Sequence, residues 1–250
     1  YIQDNTRVTY FLQGTSDEEL DALTEAGINT FVIDNTPDLQ RFLTWGDDRQ
    51  DNLTVYVRLR LKEHTVKTGK HYVFGMGGDD VNDAVSQLQT CPCTDNVGIH
   101  AHRKTQNVAE WRLTDELTNT LTDETINTIT AINAGGGFPI KYKNYQRDAL
   151  PSIKQRFNEL HEWTDRHSIE LIIEPGRIID GPPGKLHTDI VNVYKDTVVV
   201  DASVFNAAMD TFATNTRLEL TEENKEGDGT PYTVKGRTPD SLDILRYKAW

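Results

Sequence analysis

Val8-Thr-Tyr-Phe-Leu-Gln13 is a short apolar run of β-favouring residues. Ser16-Asp-Glu-Glu19 follows it with a hydroxyl at a cap position and a carboxylate three residues on, the pattern of a helix capping box. Leu20, Leu23 and Ala26 continue at helical spacing, and Asn29-Thr-Phe-Val-Ile-Asp34 is again strand-like. This strand–helix–strand reading repeats along the chain. Thr36-Pro37 is expected to cap and open a helix with Leu39, Phe42 and Leu43 inward. Strands are expected at 53–61, 96–102, 126–133 and 169–174. Helices are expected at 79–88, 107–121 and 151–166, the last with Ile153, Phe157, Leu160 and Trp163 on one side.

Six such units in about 175 residues imply a parallel sheet covered by helices, either doubly wound or a (β/α) barrel. From Thr188 onward strands follow strands, at 188–194, 197–201, 217–220 and 232–235. That pattern implies an antiparallel β element, with Gly181-Pro-Pro-Gly184 at the seam. The expected division is therefore 1–183 and 184–250.

The 250 residues carry 26 basic against 39 acidic side chains, a formal charge of −13. This excludes a nucleic acid or an anionic membrane as partner, since both require positive patches. No apolar run reaches the ~20 residues of a membrane helix. The two cysteines, Cys91 and Cys93, cannot form a disulfide framework, and a reducing, cytoplasmic setting is expected.

In a barrel of this kind, ligands bind past the carboxyl ends of the strands. Gly135-Gly-Gly-Phe-Pro139 stands at one such end; it suits either a phosphate-binding turn or a plain tight turn. Glu174-Pro-Gly-Arg177 places a carboxylate and a guanidinium at another. They form either an ion pair or two separate contacts, to a basic ring nitrogen and to a phosphate. His100-Ala-His102 sends two imidazoles to one face. They could be buried histidines, a metal pair, or a ring stacked on a planar cofactor. No metal is expected. Further ligands would have to come from later strand ends, whereas His161 and His167 lie in or near a helix and His187 lies past the barrel.

Taken in order, Asp34-Asn35, Arg58, Phe74-Gly-Met76, Gly98-Ile-His-Ala-His102, Gly135-Gly-Gly-Phe-Pro139, Glu174-Pro-Gly-Arg177 and Asp240-Ser-Leu-Asp243 resemble one family. It is the fold-type III pyridoxal-phosphate decarboxylases, the ornithine, diaminopimelate and arginine decarboxylase group related to alanine racemase. The resemblance implies a (β/α)₈ barrel followed by a β domain, a homodimer with active sites at the interface, and pyridoxal 5'-phosphate as cofactor. It implies that His102 stacks on the pyridine ring and that Glu174 faces the ring nitrogen. Gly135, Gly136, Gly137, Arg177 and Thr105 would bind the phosphate, and Arg58 would line the site. Asp240 would reach the distal amine of a diamino-acid substrate across the dimer. A carboxylate beside the ring nitrogen keeps it protonated by charge, which suits the ring as an electron sink for decarboxylation.

The chain departs from the family in three places. The cofactor-linking lysine belongs to a first barrel strand that this sequence does not contain. The first two strand–helix units are expected in a missing part upstream of Tyr1 or in a second chain, unless the chain is a degenerate homologue. Pro239 stands where the family has a proton-donating cysteine. With it, Lys104-Thr105 replaces a Gly-Ser after the strand-end histidine, and the family's C-terminal aromatic segment is expected beyond Trp250. The implied function is decarboxylation of a diamino acid or of an amino-acid-bearing intermediate. The alternatives are a non-catalytic homologue acting as a regulatory dimer partner, and a metal-dependent barrel hydrolase using His100 and His102.

Overall fold

A computed structural model describes residues 4–61, 74–104, 110–144 and 149–250. The chain divides into two compact units. Tyr1–Pro139 with Ala149–Gly176 makes the first, and Ile140–Asp148 with Arg177–Trp250 makes the second.

The first unit holds β1 (Thr9–Leu12), α1 (Asp17–Glu25), β2 (Thr30–Ile33), α2 (Thr36–Gly46), β3 (Leu53–Arg58) and α3 (Gly78–Thr90). It continues with β4 (Thr94–His100), α4 (Leu113–Thr120), α5 (Asp123–Thr128), β5 (Ala131–Asn133), α6 (Ala149–Arg166) and β6 (Glu170–Ile172). The strands pair in the order β1-β2-β3-β4-β5-β6, every pair parallel. A doubly wound sheet reverses its order at a switch point; this one does not, and the progression is that of a (β/α) barrel.

Local chemistry accounts for the elements. Ser16 Oγ accepts from Glu19 N–H, and the Glu19 carboxylate accepts from Ser16 N–H, so the expected capping box opens α1. The cap of α2 is Asn35 rather than Thr36: its side-chain oxygen accepts from Asp38 N–H at 2.9 Å. The expected strand over 126–133 is two elements. Thr122 caps α5, with Asp123 and Glu124 in the first turn, and this capping overrides the β preference of Ile126. The helix expected at 107–121 begins only at Leu113; its residues 107–109 lie outside the described residues. Just ahead of it, Trp111 is buried and stacks on Phe138 at 4.8 Å.

The sheet is buried on both faces, as a helix-covered parallel sheet must be. One face carries Phe31, Ile33, Val55, Val57 and Ile99 against the helical stripes of Phe42, Val81, Val85, Leu88 and Leu160. The other carries a small cluster of Val32, Tyr56 and Ala131. Gly98 belongs to this second row, paired with Tyr56 and Ala131. A Cβ at Gly98 would stand 2.6 Å from the Tyr56 ring, so only glycine leaves that ring its place. Cys91 and Cys93 are free and buried, with sulfurs 3.2 Å apart. Burial pushes the Cys93 thiol above its ordinary pKa, so Cys93 is held as a thiol.

The second unit contains α7 (Arg177–Asp180), β7 (Ile190–Tyr194), β8 (Thr197–Val200), α8 (Val204–Ala207), α9 (Met209–Thr214), β9 (Tyr232–Lys235) and β10 (Ile244–Ala249). Its sheet runs β10-β9-β8-β7. The outer pairs are antiparallel as expected, whereas β8 and β9 run parallel. The long connection between them, with α8 and α9, makes that crossover possible. Residues 217–220, expected as strand, form none. β10 escapes pattern reading because Arg246 and Lys248 break its apolar alternation. Arg246 is nevertheless buried, paired with Glu223 at 2.8 Å.

The Asp240-Ser-Leu-Asp243 turn is built around its last residue. Asp243 is fully buried and accepts from Val204 N–H at 2.7 Å, Thr238 Oγ1 at 2.8 Å, and Thr238 N–H and Ser203 Oγ at 3.1 Å. Asp240 is exposed and accepts from Leu242 N–H at 2.8 Å.

Candidate active site

One register row at the carboxyl ends of the strands gathers the polar groups of the first unit. Arg58 pairs with His100 across β3–β4, His100 with Asn133 across β4–β5, and Asn133 with Ile172 across β5–β6. Each stands two residues beyond Tyr56, Gly98, Ala131 and Glu170 respectively, on the same face by the period-2 rule. Glu174 continues that face two residues past Ile172.

Glu174 is the centre of the group. Its Oε1 accepts from Asn133 Nδ2 at 2.9 Å and lies 3.6 Å from His100 Nε2; its Oε2 lies 3.5 Å from His102 Nδ1. His100, then His102, then the Asn133 hydrogen bond hold the carboxyl well below the usual carboxylate range, against the opposing effect of burial. The group is therefore an anion at neutral pH. His100 is 1% exposed. Burial lowers its pKa, with Glu174 pulling the other way, and its ring meets Phe11 edge-on at 5.1 Å. His102 is half-exposed, with its ring centroid 6.2 Å from that of His100 and the two planes 27° apart.

The glycine turn is tied into the same group. Gly135 N–H donates to Asn133 Oδ1 at 2.9 Å and Gly136 N–H to His102 Nδ1 at 3.3 Å. Two donors expected to face a phosphate thus hold the side chains that surround Glu174. A Cβ at Gly135, whose φ is +62°, would stand 2.6 Å from Ala101 O and 2.8 Å from His102 Nδ1. One at Gly136 would stand 2.7 Å from Glu174 O. Gly135→Ala is accordingly expected to destabilise the protein by about 1–3 kcal/mol and to displace His102. Thermal unfolding gives the first, and a weaker affinity for pyridoxal phosphate gives the second. An unchanged melting temperature and affinity would show that the turn tolerates a side chain.

The other expected residues are placed differently. Arg58 donates to Asp34 at 2.8 Å and lies 4.8 Å over the Phe74 ring. Thr105 lies outside the described residues. Arg177 belongs to the second unit, where it pairs with Asp210, which also accepts from Tyr142 OH at 3.0 Å. Among the described residues Arg177 Nη1 is buried without a hydrogen-bond partner, a donor suited to an anion. Of the groups expected to converge, then, the glycine turn, His102 and Glu174 meet in the first unit. One residue of the site escaped the sequence reading. Asn133, the last residue of β5, gave no signal beyond its position ahead of the glycines. The third ligand-type side chain that His100 and His102 lacked is Glu174 itself.

Comparison with known proteins names the chemistry. The family model described as "Pyridoxal-dependent decarboxylase, pyridoxal binding domain" matches residues 3–181. The chain belongs to the pyridoxal-dependent decarboxylases. It is 24% identical to the diaminopimelate decarboxylase of Vibrio cholerae over 97% of its own length and 61% of the relative's. A second diaminopimelate decarboxylase, from Halalkalibacterium halodurans, is 24% identical over 71% of this chain and 45% of the relative. The chain therefore spans about half to three-fifths of the curated relatives it matches. Among solved structures, diaminopimelate decarboxylase from Helicobacter pylori complexed with L-lysine superposes with a TM-score of 0.76. The match is 18% identical and covers 98% of this chain and 64% of that one. Lysine decarboxylase from Selenomonas ruminantium gives 0.71, at 20% identity, over 99% and 64%. These likenesses establish the fold, a family barrel with its following β domain.

Proposed function

We propose that this pyridoxal-dependent decarboxylase chain forms the cofactor-binding part, 1–183, and the start of the β domain, 184–250, of an enzyme that decarboxylates a diamino acid. The observation that carries the reading is the ionised Glu174, held by His100, His102 and Asn133 beside a half-exposed imidazole. The residues fit pyridoxal 5'-phosphate. The glycine turn leaves no room for side chains, and Glu174 supplies an anion for a protonated ring nitrogen. When bound, the cofactor supplies the electron sink for the bond broken in decarboxylation.

The chain's own groups have separate tasks. Glu174 keeps the proton on the ring nitrogen by charge. His102 offers its ring plane as a stacking surface and is kept in place by Gly136 N–H. Asn133 orients Glu174, and its own oxygen is fixed by Gly135 N–H. By motif, Arg177 and the glycine turn at Gly137 are assigned to the phosphate, since the Gly135 and Gly136 N–H groups are taken up by Asn133 and His102, and Arg58 borders the site from β3. Asp240, exposed on its turn, is assigned to a substrate's distal ammonium across a homodimer. Diaminopimelate and lysine, named for the relatives above, both carry a second amine. The buried free cysteines support a reducing, cytoplasmic setting. Among the described residues no helix is long and apolar enough to cross a membrane.

Titration of the purified protein with pyridoxal phosphate tests this. Saturable uptake of one cofactor per chain, and CO₂ release from lysine, ornithine or diaminopimelate, are expected. No saturable uptake would overturn the reading. Pro239, which has no proton to donate, favours a second reading, a non-catalytic homologue that regulates an active decarboxylase by dimerising with it. Cofactor uptake without CO₂ release from any diamino acid would select it.

A further inference from the structure

Arg177, the first residue of α7, is anchored by a network that lies wholly inside the second unit. Its Nη2 donates to Asp210 Oδ1, on α9, and Tyr142 OH donates to Asp210 Oδ2 at 3.0 Å. The two carboxylate oxygens thus serve different donors. The carboxylate does not fork onto both terminal guanidinium nitrogens: among the described residues Arg177 Nη1 is buried without a hydrogen-bond partner. A bidentate pair would commit the planar guanidinium to the carboxylate. The contact through Nη2 holds its plane and leaves a second donor edge for another anion.

Tyr142 is itself tied down by the residues around it. Lys143 N–H donates to Arg217 O and Arg217 N–H to Asn144 Oδ1, both at 2.8 Å, and Asn144 Nδ2 donates to Asn215 O at 3.0 Å. Lys141 and Lys143 pair with Glu219 and Glu223, each at 3.0 Å. Tyr142, between these two lysines, reaches Asp210 instead. Burial, with the Asp210 carboxylate adding to it against the pull of Arg177, pushes the Tyr142 hydroxyl above its ordinary pKa. The hydroxyl is therefore a protonated donor at neutral pH. A continuous line of contacts runs from 215–223 through Tyr142 and Asp210 to the guanidinium.

We infer that Tyr142 and Asp210 are positioning residues for phosphate binding, given the reading that Arg177 takes the phosphate of the cofactor. Tyr142 holds Asp210, and Asp210 holds the guanidinium with Nη1 kept available. A loose arginine side chain would have to be ordered on binding, at a cost in affinity; one already ordered is not. The Asp210 carboxylate also repels a phosphate by charge. Its two donors spread that charge, and the ordering of Arg177 outweighs the repulsion.

Affinities of the full chain for pyridoxal 5'-phosphate and for pyridoxal, which lacks the phosphate, test this. Tyr142→Phe and Asp210→Asn are each expected to weaken binding of pyridoxal phosphate by about 3–10-fold, the effect of one lost hydrogen bond. Pyridoxal binding is expected to stay unchanged. Both substitutions keep the size of the side chain, and circular dichroism checks the fold. Arg177→Gln is expected to weaken pyridoxal phosphate by about 10–100-fold. Adding Tyr142→Phe to it should cause no further loss, because Tyr142 acts through Arg177. An unchanged affinity in Tyr142→Phe or Asp210→Asn, beside a weakened Arg177→Gln, overturns the positioning roles and leaves Arg177 as the phosphate ligand. Tighter binding in Asp210→Asn also overturns them, since the carboxylate would then oppose the phosphate. So does an equal loss for pyridoxal, which would make the two residues structural. An Arg177→Gln affinity equal to wild type would instead sink the reading of Arg177 itself, and the positioning roles with it.

Discussion

Glu174→Gln is expected to lower the decarboxylation kcat by about 10²–10³-fold, the loss seen when one preorganised electrostatic contact to a developing charge is removed. The substitution keeps the size of the side chain and an oxygen for Asn133 Nδ2. What it removes is the negative charge that His100 and His102 stabilise. An amide cannot favour a proton on a neighbouring ring nitrogen by charge. The loss should therefore fall on kcat more than on KM. Because the folded carboxyl titrates well below its ordinary value, the wild-type group does not change charge above about pH 5. An acid limb in the wild-type pH–rate profile near neutrality would have to come from another group. A Gln variant with wild-type kcat would remove Glu174 from the chemistry altogether.

Asp243→Ala is expected to cost about 3 kcal/mol of stability, a drop of roughly 6–12 °C in Tm for a chain of this length. Four donors converge on this carboxylate: Val204 N–H, Thr238 N–H, Thr238 Oγ1 and Ser203 Oγ. Removing it strands them in the interior and releases the N-terminus of α8 from the turn before β10. Burial pushes the Asp243 carboxyl up, but the Val204 N–H and the Thr238 contacts outweigh it, and the pKa lies below the ordinary value. The folded pKa is thus lower than the unfolded one. The stabilisation is complete above the unfolded value of about 3.9 and is lost as pH falls through the folded one. The wild-type advantage over Asp243→Ala should therefore narrow below about pH 4. Equal Tm values for the two proteins at neutral pH would show that the turn holds without this carboxylate.

Legibility in the sequence followed the range of the forces involved. The capping box at Ser16 and Glu19 and the stripes of α3 and α6 could be read directly, because they depend on neighbours within a few residues. The segment 126–133 misled because β-branched composition suggests strand, while a threonine cap and two acidic residues upstream start a helix first. β10 was hidden because Arg246 is buried through a pairing with Glu223, a partner 23 positions away that no local pattern announces. Asp240 stood out by motif, yet the residue that ties the turn together is Asp243.

The strand–helix alternation of the first unit, the placing of a glycine run at a strand end, and most residue types of the site were legible in sequence alone, since periodicity and turn chemistry are local. Only the tertiary structure decided that His100 is buried with its Nε2 3.6 Å from Glu174, that Asn133 orients Glu174, and that Gly135 and Gly136 donate to side chains. Those facts depend on the parallel register of β4, β5 and β6. That register brings side chains 41 positions apart, Asn133 and Glu174, into a hydrogen bond, and it is set by packing across the sheet rather than along the chain.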